Sequence, residues 1–585
     1  MLKLMRYMGK KEISFMLFIF ILVVVSVWCT LTMPDYMTRI TQLVETGGEM
    51  ADIWNAGFKM MMFALGDLAC SIMVGFFTAQ VAALFSKRLR KAVYDKVVGF
   101  SMEEINSFST SSLVTRTTND IVQIVMAITM GLQMLMRAPI IAIWAVFKIS
   151  DKGWQWILVT AIAVAVVLVT LIIVLSLVTP KFKLIQKLTD RLNLITRENL
   201  TGVRVVRAYN AEHYQEEKFD KANQELTGNH LFTGKAMAFL MPTMQFVMSM
   251  TSLCVYWVGA HRIMNQANVM ERIGTFSNLV VFMAYAIQII IAFMMVSMIF
   301  MFIPRAQVSA GRIEEVLSKE NKIKEGNIST GTSAGGSIEF RNVAFSYPEA
   351  KERVLSDINF TALPGQTVAF IGSTGSGKST LVNLVPRFFD TTEGEVLVDG
   401  INVRNYALKT LRDKIGYVSQ KAVLFKGTLA SNINYGGEES GIDEQRIIHA
   451  LEVAQGSDIL AKEAEGINAP VSQGGSNFSG GQKQRISIAR AIYKKPEIFI
   501  FDDSFSALDY KTDKKLRSEL KKETKDATTL IVAQRIGTVK DADLIIVLDE
   551  GRMAGCGTHE ELLRDCDVYR QIAYSQLSKE ELENA

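Results

Sequence analysis

The chain has 585 residues, of which 49% are hydrophobic, and its mean hydropathy of +0.20 is high for a purely soluble protein. Its 63 basic residues nearly balance 59 acidic ones, so the net charge of +4 gives no reason to expect a nucleic-acid partner. The five cysteines are scattered singly, which argues against a disulfide framework and against a cysteine-rich metal site.

Long apolar stretches dominate the chain before residue 305, and each is long enough for the roughly 20 residues that an α-helix needs to cross a bilayer. The first stretch is too long for the apolar core of a cleaved signal peptide, so we interpret it as an uncleaved anchor. The predicted spans are Ile13–Met33, Phe58–Leu84, Ile124–Ile149, Trp154–Val178, Phe239–Gly259 and Phe276–Ile303.

The distribution of Lys and Arg between the loops predicts the orientation of these spans. The loops after the second and fourth spans are long and rich in cations, whereas the other loops are short and poor in them. The positive-inside rule therefore places both termini in the cytoplasm. The cation-rich loops also show polar helical patterns, which predict helices that continue well beyond the bilayer into the cytoplasm.

Three charged residues fall in or beside the predicted spans: Asp67 in the second, Arg137 in the third and Asp35 just after the first. Intramembrane charges are costly and usually face the interior of a helix bundle. Asp67 would attract a cationic substrate, take part in an outward gate, form a structural ion pair or lie nearer a water-filled cleft. Asp35 would line the extracellular mouth or remain a solvated loop charge, and the sequence leaves these alternatives open.

A polar stretch rich in Gly, Ser and Thr, residues 318–337, precedes a part of the chain with a different periodicity. Short apolar runs such as Thr367–Gly372 and Ile498–Phe501 are typical of buried parallel strands, and helical patterns separate them. We therefore predict a membrane α-helical bundle over residues 1–317, a linker over 318–337 and an α/β P-loop domain over 338–585.

The segment GSTGSGKST follows the first of these runs and opens a helical stretch, which is the strand–loop–helix context of a P-loop. Its glycines let backbone N–H groups surround phosphates, and a helix N-terminus favours negative charge. Lys378 would reach the β- and γ-phosphates of ATP, and Ser379 would coordinate Mg²⁺. The predicted phosphate-binding residues are Gly372, Ser373, Thr374, Gly375, Ser376, Gly377, Lys378, Ser379 and Thr380.

Two aspartates, Asp502 and Asp503, end the apolar run Ile498–Phe501. A carboxylate at the end of a strand beside a P-loop commonly helps to hold the Mg²⁺ of a nucleotide. We therefore predict that Asp502 holds Mg²⁺, directly or through water, together with Ser379.

The segment FSGGQKQR, Phe478–Arg485, lies between the P-loop and these aspartates. A Ser-Gly-Gly turn before a helix offers a hydroxyl, exposed N–H groups and a helix N-terminus to a phosphate. The segment resembles the signature motif of ATP-binding cassette (ABC) proteins, with Phe478 in place of the usual leucine. Its place after a P-loop and shortly before a Walker-type strand makes the resemblance strong.

The resemblance extends over essentially the whole chain, because TRTTND, ENLTGVRVVRAYNAE and SAGRIEEVL are similar to loop and linker segments of exporter-type ABC transporters. It implies a half-transporter with six spans and one nucleotide-binding domain. It also implies that Tyr347 stacks on adenine and that Gln420 senses Mg²⁺ and faces the membrane domain. The residues implied to contact the ATP of a partner subunit are Ser479, Gly480, Gly481, Gln482 and Asp509.

Two positions depart from the family pattern. The family's catalytic base is a glutamate after the Walker aspartate, but this chain has Asp503; the family's switch histidine is replaced by Gln534. An aspartate is shorter by about 1.5 Å, one C–C bond, and a base must lie within hydrogen-bond reach of the attacking water. Glutamine cannot carry the charge of an imidazolium. Two such changes in one site indicate weakened hydrolysis.

The chain thus resembles the degenerate-site subunit of bacterial heterodimeric multidrug exporters. This implies ATP- and Mg²⁺-dependent export of small hydrophobic, amphipathic or cationic compounds across the inner membrane, with a partner half-transporter that carries the glutamate and the histidine. A homodimer with slow hydrolysis is one alternative. A siderophore or metabolite importer of the same architecture and an ATP-gated channel or regulatory subunit are others.

Overall fold

The computed structural model describes residues 2–150, 153–329, 335–348, 350, 352–437 and 441–576. It divides into two compact units, Met1–Val98 with Ser109–Lys319, and Gly99–Phe108 with Glu320–Ala585. Residues 330–334 of the predicted linker lie outside the described residues, as do 349, 351, 438–440 and 577–585 of the predicted α/β domain.

Long apolar helices build the first unit, since runs of Leu, Ile, Met and Ala satisfy their own backbone hydrogen bonds in this form. A short 3-10 helix, Leu2–Tyr7, precedes them, and a π-helical turn, Gly131–Leu135, interrupts the third span. The helices up to residue 318, of which only α3 belongs to the second unit, are α1 (Lys10–Glu45), α2 (Met50–Val98), α3 (Met102–Ser107), α4 (Thr110–Thr117), α5 (Asn119–Met130), α6 (Met136–Ile149), α7 (Trp154–Thr201), α8 (Val203–Ala208), α9 (Glu212–Ala238), α10 (Leu240–Met264) and α11 (Val269–Ser318).

Six helical segments of the described chain are long and apolar enough to cross a membrane, which confirms the predicted number of spans. Two of them have 49 and 48 residues, far more than a bilayer needs, as the polar patterns in the cation-rich loops predict. The six segments are Lys10–Glu45, Met50–Val98, Thr110–Ile149, Trp154–Thr201, Glu212–Met264 and Val269–Val296.

The interior of the helical unit is apolar, and so is much of its outside. Val27, Ile141 and Phe282 are buried in one cluster formed by several helices. Phe58 and Trp257, by contrast, expose more than half of their surface. Apolar side chains on both sides of a helix are what a lipid environment requires, because lipid tails solvate the outer face.

The second unit is an α/β fold with two sheets. One sheet has the strand order β2-β1-β4-β5 and the other β12-β11-β3-β10-β9-β6; β7 and β8 form a separate pair. The strands are β1 (Ile338–Phe345), β2 (Leu355–Ala362), β3 (Thr367–Gly372), β4 (Glu393–Val398), β5 (Ile401–Asn402), β6 (Ile415–Val418), β7 (Gly427–Thr428), β8 (Pro470–Val471), β9 (Ile498–Asp502), β10 (Thr528–Val532), β11 (Leu544–Asp549) and β12 (Arg552–Gly557).

Helices cover the larger sheet, whose central strands are buried, as their continuous apolar runs predict. These helices are α12 (Lys378–Leu384), α13 (Leu408–Asp413), α14 (Leu429–Ile433), α15 (Glu444–Val453), α16 (Ser457–Lys462), α17 (Gly480–Lys494), α18 (Tyr510–Glu523), α19 (Ile536–Val539), α20 (His559–Asp565) and α21 (Asp567–Gln576).

The register of the larger sheet positions the site. Strands β3, β10, β9 and β6 are parallel neighbours, and Val532 pairs with both Phe370 and Asp502. Their carboxyl ends therefore meet at one edge, where ligands bind in open α/β sheets.

Two short segments near the boundary belong to the second unit. A capping box of Ser101 and Glu104 begins helix α3. The buried Glu104 accepts a hydrogen bond from the backbone N–H of Lys322 at 3.2 Å, and Asn321 donates to the carbonyl of Gly99 at 2.5 Å. In the predicted linker, the N–H of Gly326 donates to the carbonyl of Tyr406 at 3.0 Å, so this part pairs with the α/β fold.

Candidate nucleotide-binding site

The P-loop joins the end of β3 to α12. Gly375 and Gly377 have φ values of 89° and 95°, a region that side chains rarely adopt. A Cβ on Gly372 would lie 2.0 Å from the carbonyl oxygen of Leu548 on the neighbouring strand β11. The glycines thus permit both the turn and its close approach to the sheet. Ser373, Thr374 and Gly375 are exposed at the tip of the loop.

The ammonium group of Lys378 braces this loop. Its Nζ donates to the carbonyl oxygens of Gly372 and Ser373 at 2.9 and 2.7 Å and lies 3.3 Å from Ser376 Oγ. Burial lowers the pKa of Lys378, because desolvation disfavours the charged form, while the nearby Asp503 and Asp502 oppose the shift.

Asp502 meets the P-loop at the edge of the sheet. Its Oδ1 accepts a hydrogen bond of 2.6 Å from Ser379 Oγ, and its Oδ2 lies 3.5 Å from the hydroxyl of Tyr417. Burial raises the pKa of Asp502, the hydrogen bond from Ser379 opposes that shift, and the charge of Asp503 adds to it. A hydroxyl and a carboxylate at this distance are hard oxygen ligands of the kind that Mg²⁺ prefers.

Tyr417, at the end of β6, was not among the predicted site residues. Its hydroxyl donates to Asn383 Oδ1 at 3.0 Å, and burial raises its pKa, so the phenol stays protonated. The sequence signal for Tyr417 is its position three residues before Gln420. Its proximity to Asp502 comes from the pairing of β6 with β9.

Tyr347, just after β1, is half-buried among other rings. Its ring meets those of Phe345 and Phe389 edge-on, with centroids 5.0 and 5.4 Å apart. Its hydroxyl lies 3.0 Å from Thr380 Oγ1 at the end of the P-loop motif. An aromatic ring is thus fixed beside the phosphate loop, where a base could stack on it.

Asp503 lies where the loops after three parallel strands converge. Its Oδ2 accepts a hydrogen bond from Gln420 Nε2 at 3.1 Å and another from Gln534 Nε2 at 3.0 Å. The backbone of Asp503 has φ 45°, a left-handed conformation. A cavity of about 270 Å³ opens beside Asp503 and Gln534, with Ser506 and Arg535 also in its wall.

The signature segment forms a helix start. Ser479 caps α17: its Oγ accepts from the N–H of Gln482 at 3.3 Å, and the side chain of Gln482 accepts from the N–H of Ser479 at 2.8 Å. Phe478 is buried in the core below. A Cβ on Gly481 would lie 3.3 Å from the carbonyl of Ala507, so the segment lies against the loop that leads to Asp509.

Asp509 caps the next helix, α18, by accepting a hydrogen bond from the N–H of Thr512 at 3.0 Å. Hydrogen bonding from Thr512 lowers the pKa of Asp509. Within the described part of this single chain, no hydrogen bond joins Ser479 or Asp509 to the P-loop or to Asp502 and Asp503. The structure therefore brings the predicted residues together in two groups.

Comparisons with known proteins agree with this geometry. The ABC transporter transmembrane region family matches residues 16–309, and the ABC transporter family matches residues 355–506. An uncharacterized ABC transporter ATP-binding protein of Mycobacterium tuberculosis is 38% identical over 557 residues, with 94% of each chain covered. An ATP-dependent lipid A-core flippase of Pseudomonas aeruginosa is 30% identical over 506 residues, which cover 86% of this chain and 82% of the flippase.

A solved structure has the same fold along its length. A bacterial Atm1-family ABC exporter with ATP bound superposes with a TM-score of 0.81 at 22% identity, covering 97% of this chain and 98% of the other. Together with the family matches over both units, this means that the chain belongs to the ABC transporter family, as a half-transporter in which a six-span membrane domain is fused to one ATP-binding domain.

Proposed function

We propose that this chain is one half of a heterodimeric ABC exporter and carries the weaker of its two ATP sites. It would drive the export of small amphipathic or drug-like compounds across the bacterial inner membrane. The observation that carries the proposal is the environment of Asp503, whose Oδ2 already accepts hydrogen bonds from the amides of Gln420 and Gln534.

A general base needs a free lone pair directed at the proton that it removes. Two amide donors occupy Oδ2 of Asp503. The aspartate side chain is shorter than the glutamate of the family, so its other oxygen lies farther from a bound nucleotide. Gln534 donates to the carboxylate but carries no charge with which to stabilise a transferring phosphoryl group. The site therefore suits holding ATP better than hydrolysing it.

The signature segment, in contrast, is well formed. Ser479 and Gln482 form a complete capping box, so the turn is fixed at the N-terminus of a 15-residue helix. We propose that Ser479, Gly480, Gly481, Gln482 and Asp509 complete the partner subunit's ATP site. A well-formed signature segment on the same chain as the weak base Asp503 would contribute to ATP hydrolysis only if the partner subunit supplies its own glutamate and histidine.

At this chain's own site, Tyr347, Lys378 and residues 372–380 would hold the adenine and phosphates of ATP. Ser379, Asp502 and Gln420 would hold Mg²⁺, which would neutralise phosphate charge when bound. The hydrogen bond between Ser379 and Asp502 supports this, because two oxygen atoms of the type that Mg²⁺ prefers lie 2.6 Å apart beside the P-loop.

For the organisation of the chain we propose a membrane domain over residues 1–317, a connecting segment over 318–337 and a nucleotide-binding domain over 338–585. Both termini would lie in the cytoplasm, as the excess of Lys and Arg in the loops after the second and fourth spans indicates.

The class of cargo is supported by a relative and by the membrane domain. The 30% identical relative is named an ATP-dependent lipid A-core flippase, and lipids are amphipathic. We propose an amphipathic cargo for this chain as well. Asp67 pairs with Arg137, with 3.6 Å between Oδ1 and Nη2, so neither presents an uncompensated charge to a cargo. This favours hydrophobic contacts in the first selection of substrate.

The test compares two positions on this chain in the complex co-purified with the partner half-transporter that the proposal requires. Asp503→Asn should leave most of the steady-state phosphate release, because this site contributes little. Ser479→Arg should reduce release at least about a hundredfold, because electrostatic stabilisation at the partner's ATP is lost. Ser479→Asp keeps the helix cap but opposes the phosphate charge, so it should be similarly damaging.

A larger loss from Asp503→Asn than from Ser479→Asp would reverse the assignment of the weak and strong sites. Rapid turnover by the purified chain without a partner, at the rate of an intact exporter, would overturn the proposal altogether.

A further inference from the structure

The end of the terminal helix α21 lies against the loop that carries Gln534. The side-chain amide of Gln576 spans this loop: its Nε2 donates to the carbonyl oxygen of Gln534 at 2.8 Å, and its Oε1 accepts from the N–H of Ile536 at 2.8 Å. Both polar atoms of the Gln576 amide therefore form hydrogen bonds, one with each of the two residues that flank Arg535.

The Ile536 N–H needs such a partner. It belongs to the first residue of the four-residue helix α19, and the N-cap residue Arg535 makes no side-chain capping bond. First-turn N–H groups have no acceptor within their own helix, and a cap usually comes from the preceding residue. Here the acceptor comes from a helix that lies 40 residues further along the chain.

Helix α21 is anchored well enough to hold that acceptor in place. Tyr569 and Ala573, which precede Gln576 by seven and three residues on the same helix face, are fully buried in a cluster with Ile536 and Val539. The Tyr569 hydroxyl also lies 2.6 Å from His559 Nδ1.

Helix α19 also has a second contact, from helix α18. Arg517, on the helix that Asp509 caps, donates to the carbonyl oxygen of Gly537 at 2.7 Å and is itself paired with Asp513. The loop at Gln534 is therefore fixed between two helices, and Gln576 is the contact that reaches residue 534 itself.

We propose that Gln576 is a positioning residue for this ATP site: it holds the backbone of residue 534 so that the side chain there faces Asp503. The inference rests on the proposed function in one respect, since it takes residue 534 to act on the nucleotide bound by this chain. The role concerns the main chain, so it does not depend on whether residue 534 is glutamine or histidine.

The substitution Gln576→Glu separates this role from a structural one. A glutamate still accepts from the Ile536 N–H, so α19 keeps its cap, but it cannot donate to the Gln534 carbonyl. The matched control is Gln571→Glu, the same change at an exposed position of the same helix. Both variants should unfold at the same temperature as the unmodified chain.

The readout is the release of phosphate from radiolabelled ATP bound to the purified full chain, followed over hours so that a slow site is scored, with the ATP dissociation constant measured alongside. Gln576→Glu should slow release about three- to tenfold with unchanged affinity, and Gln571→Glu should not. Gln534→Ala should slow it similarly, because the amide that orients the Asp503 carboxylate and leaves its other oxygen for the water is lost. The double variant Gln534→Ala/Gln576→Glu should be no slower than Gln534→Ala, because coupled residues are not additive.

Equal rates for Gln576→Glu and Gln571→Glu, or losses from Gln534→Ala and Gln576→Glu that multiply, would overturn this inference while leaving the proposed function intact. Fast release from the unmodified chain would overturn the proposed weak site, and the comparison of Gln576→Glu with Gln571→Glu would still decide the role of Gln576.

Discussion

Asp503 stands where the family has glutamate, and its backbone conformation is uncommon for a residue other than glycine. At φ 45° its main chain is left-handed, a conformation in which aspartate is several-fold enriched over most other residues. Its side chain ends between two amide donors. Both properties fix the carboxylate with its Oδ2 already engaged, on a side chain one methylene shorter than the glutamate of the family, so a general base at this position has less reach towards the attacking water.

Restoring the family residues should therefore restore hydrolysis at this position. The double substitution Asp503→Glu/Gln534→His is expected to raise steady-state phosphate release by the purified chain at least about tenfold, since a positioned general base contributes about 10²–10⁴ in rate. The control Asp503→Gln/Gln534→His has the longer side chain without the carboxylate and should show no rise. An equal rise in both variants would mean that length, not basicity, limits this site.

His559 gives the nucleotide-binding domain an acid-sensitive contact. Burial lowers the pKa of His559, the charge of Lys540 adds to this, and Asp541 and Glu560 oppose it. The folded protein therefore favours the neutral ring, whose Nδ1 lies 2.6 Å from the hydroxyl of Tyr569. The unfolded chain binds the proton more readily, at an ordinary pKa of about 6.5.

The stability that neutral His559 contributes should be complete above about pH 6.5 and should decline as the pH falls through the folded value. We expect the melting temperature of the purified chain to fall more between pH 7.5 and 5.5 than that of His559→Gln. His449→Gln, at an exposed histidine of the same unit, should keep the full acid sensitivity. The same pH dependence in His559→Gln and in the unmodified chain would contradict this.

The motifs predict which residue types lie near the P-loop, but not how their side chains contact one another. Asp502 and Ser379 were expected to share one metal ion, and the structure places them 2.6 Å apart. The convergence of Gln420 and Gln534 on one oxygen of Asp503 depends on the strand order β3-β10-β9-β6, in which each strand pairs with one distant along the chain. Local sequence patterns carry no information about such pairings.

Charged contacts tie the helices of the membrane domain together. Arg137 on α6 pairs with Asp67 on α2, and Asp67 also accepts a hydrogen bond from Ser26 on α1. A second ion pair joins two of these helices: Lys148 of α6 pairs with Asp35 of α1, which Tyr285 of α11 also contacts at 2.7 Å. Of the alternatives that the sequence left open, the structure shows the ion pair for Asp67.

Removal of one partner should weaken this unit. Asp67→Asn would leave Arg137 without its counter-charge in an apolar setting, which costs about 3–5 kcal/mol for a fully buried pair and less here, because both side chains are partly exposed. We expect a clear fall in the melting temperature of the detergent-purified chain. The double variant Asp67→Arg/Arg137→Asp should recover part of it.

The matched control is Asp52→Asn, the same change at an exposed position of helix α2. If Asp67→Asn and Asp52→Asn had equal melting temperatures, the ion pair would contribute nothing to stability, and a role in transport would become the better explanation of Asp67.

The spans themselves were predictable, because a run of about 20 apolar residues has few alternatives to a membrane helix. The sequence also predicts that helices continue beyond the bilayer, but not where they end. In the structure α7 runs from Trp154 to Thr201 and α11 from Val269 to Ser318. The π-helical turn at Gly131–Leu135 had no sequence signal, since nothing in that apolar run distinguishes a π-turn from an α-turn.

For the whole molecule, export predicts a direction of movement. Inverted membrane vesicles that contain this chain and the proposed partner half-transporter should accumulate a fluorescent amphipathic dye when ATP is supplied outside, because the nucleotide-binding domains then face the added ATP. The same vesicles with Ser479→Arg in this chain should not accumulate it. Loss of preloaded dye on addition of ATP would indicate import, and a leak that only dissipates a gradient would indicate a channel.

The placement of helix α3 has a consequence for the order in which the chain folds during synthesis. Glu104 receives its hydrogen bond from Lys322, 218 residues later, and Gly99 receives one from Asn321. At a ribosomal rate of about 5–20 residues per second, those partners emerge roughly 10–40 s after α3 itself. Until then the Glu104 carboxylate can accept hydrogen bonds only from the cap residue Ser101. The segment around α3 should therefore be among the last parts of the early chain to become resistant to protease in nascent polypeptides.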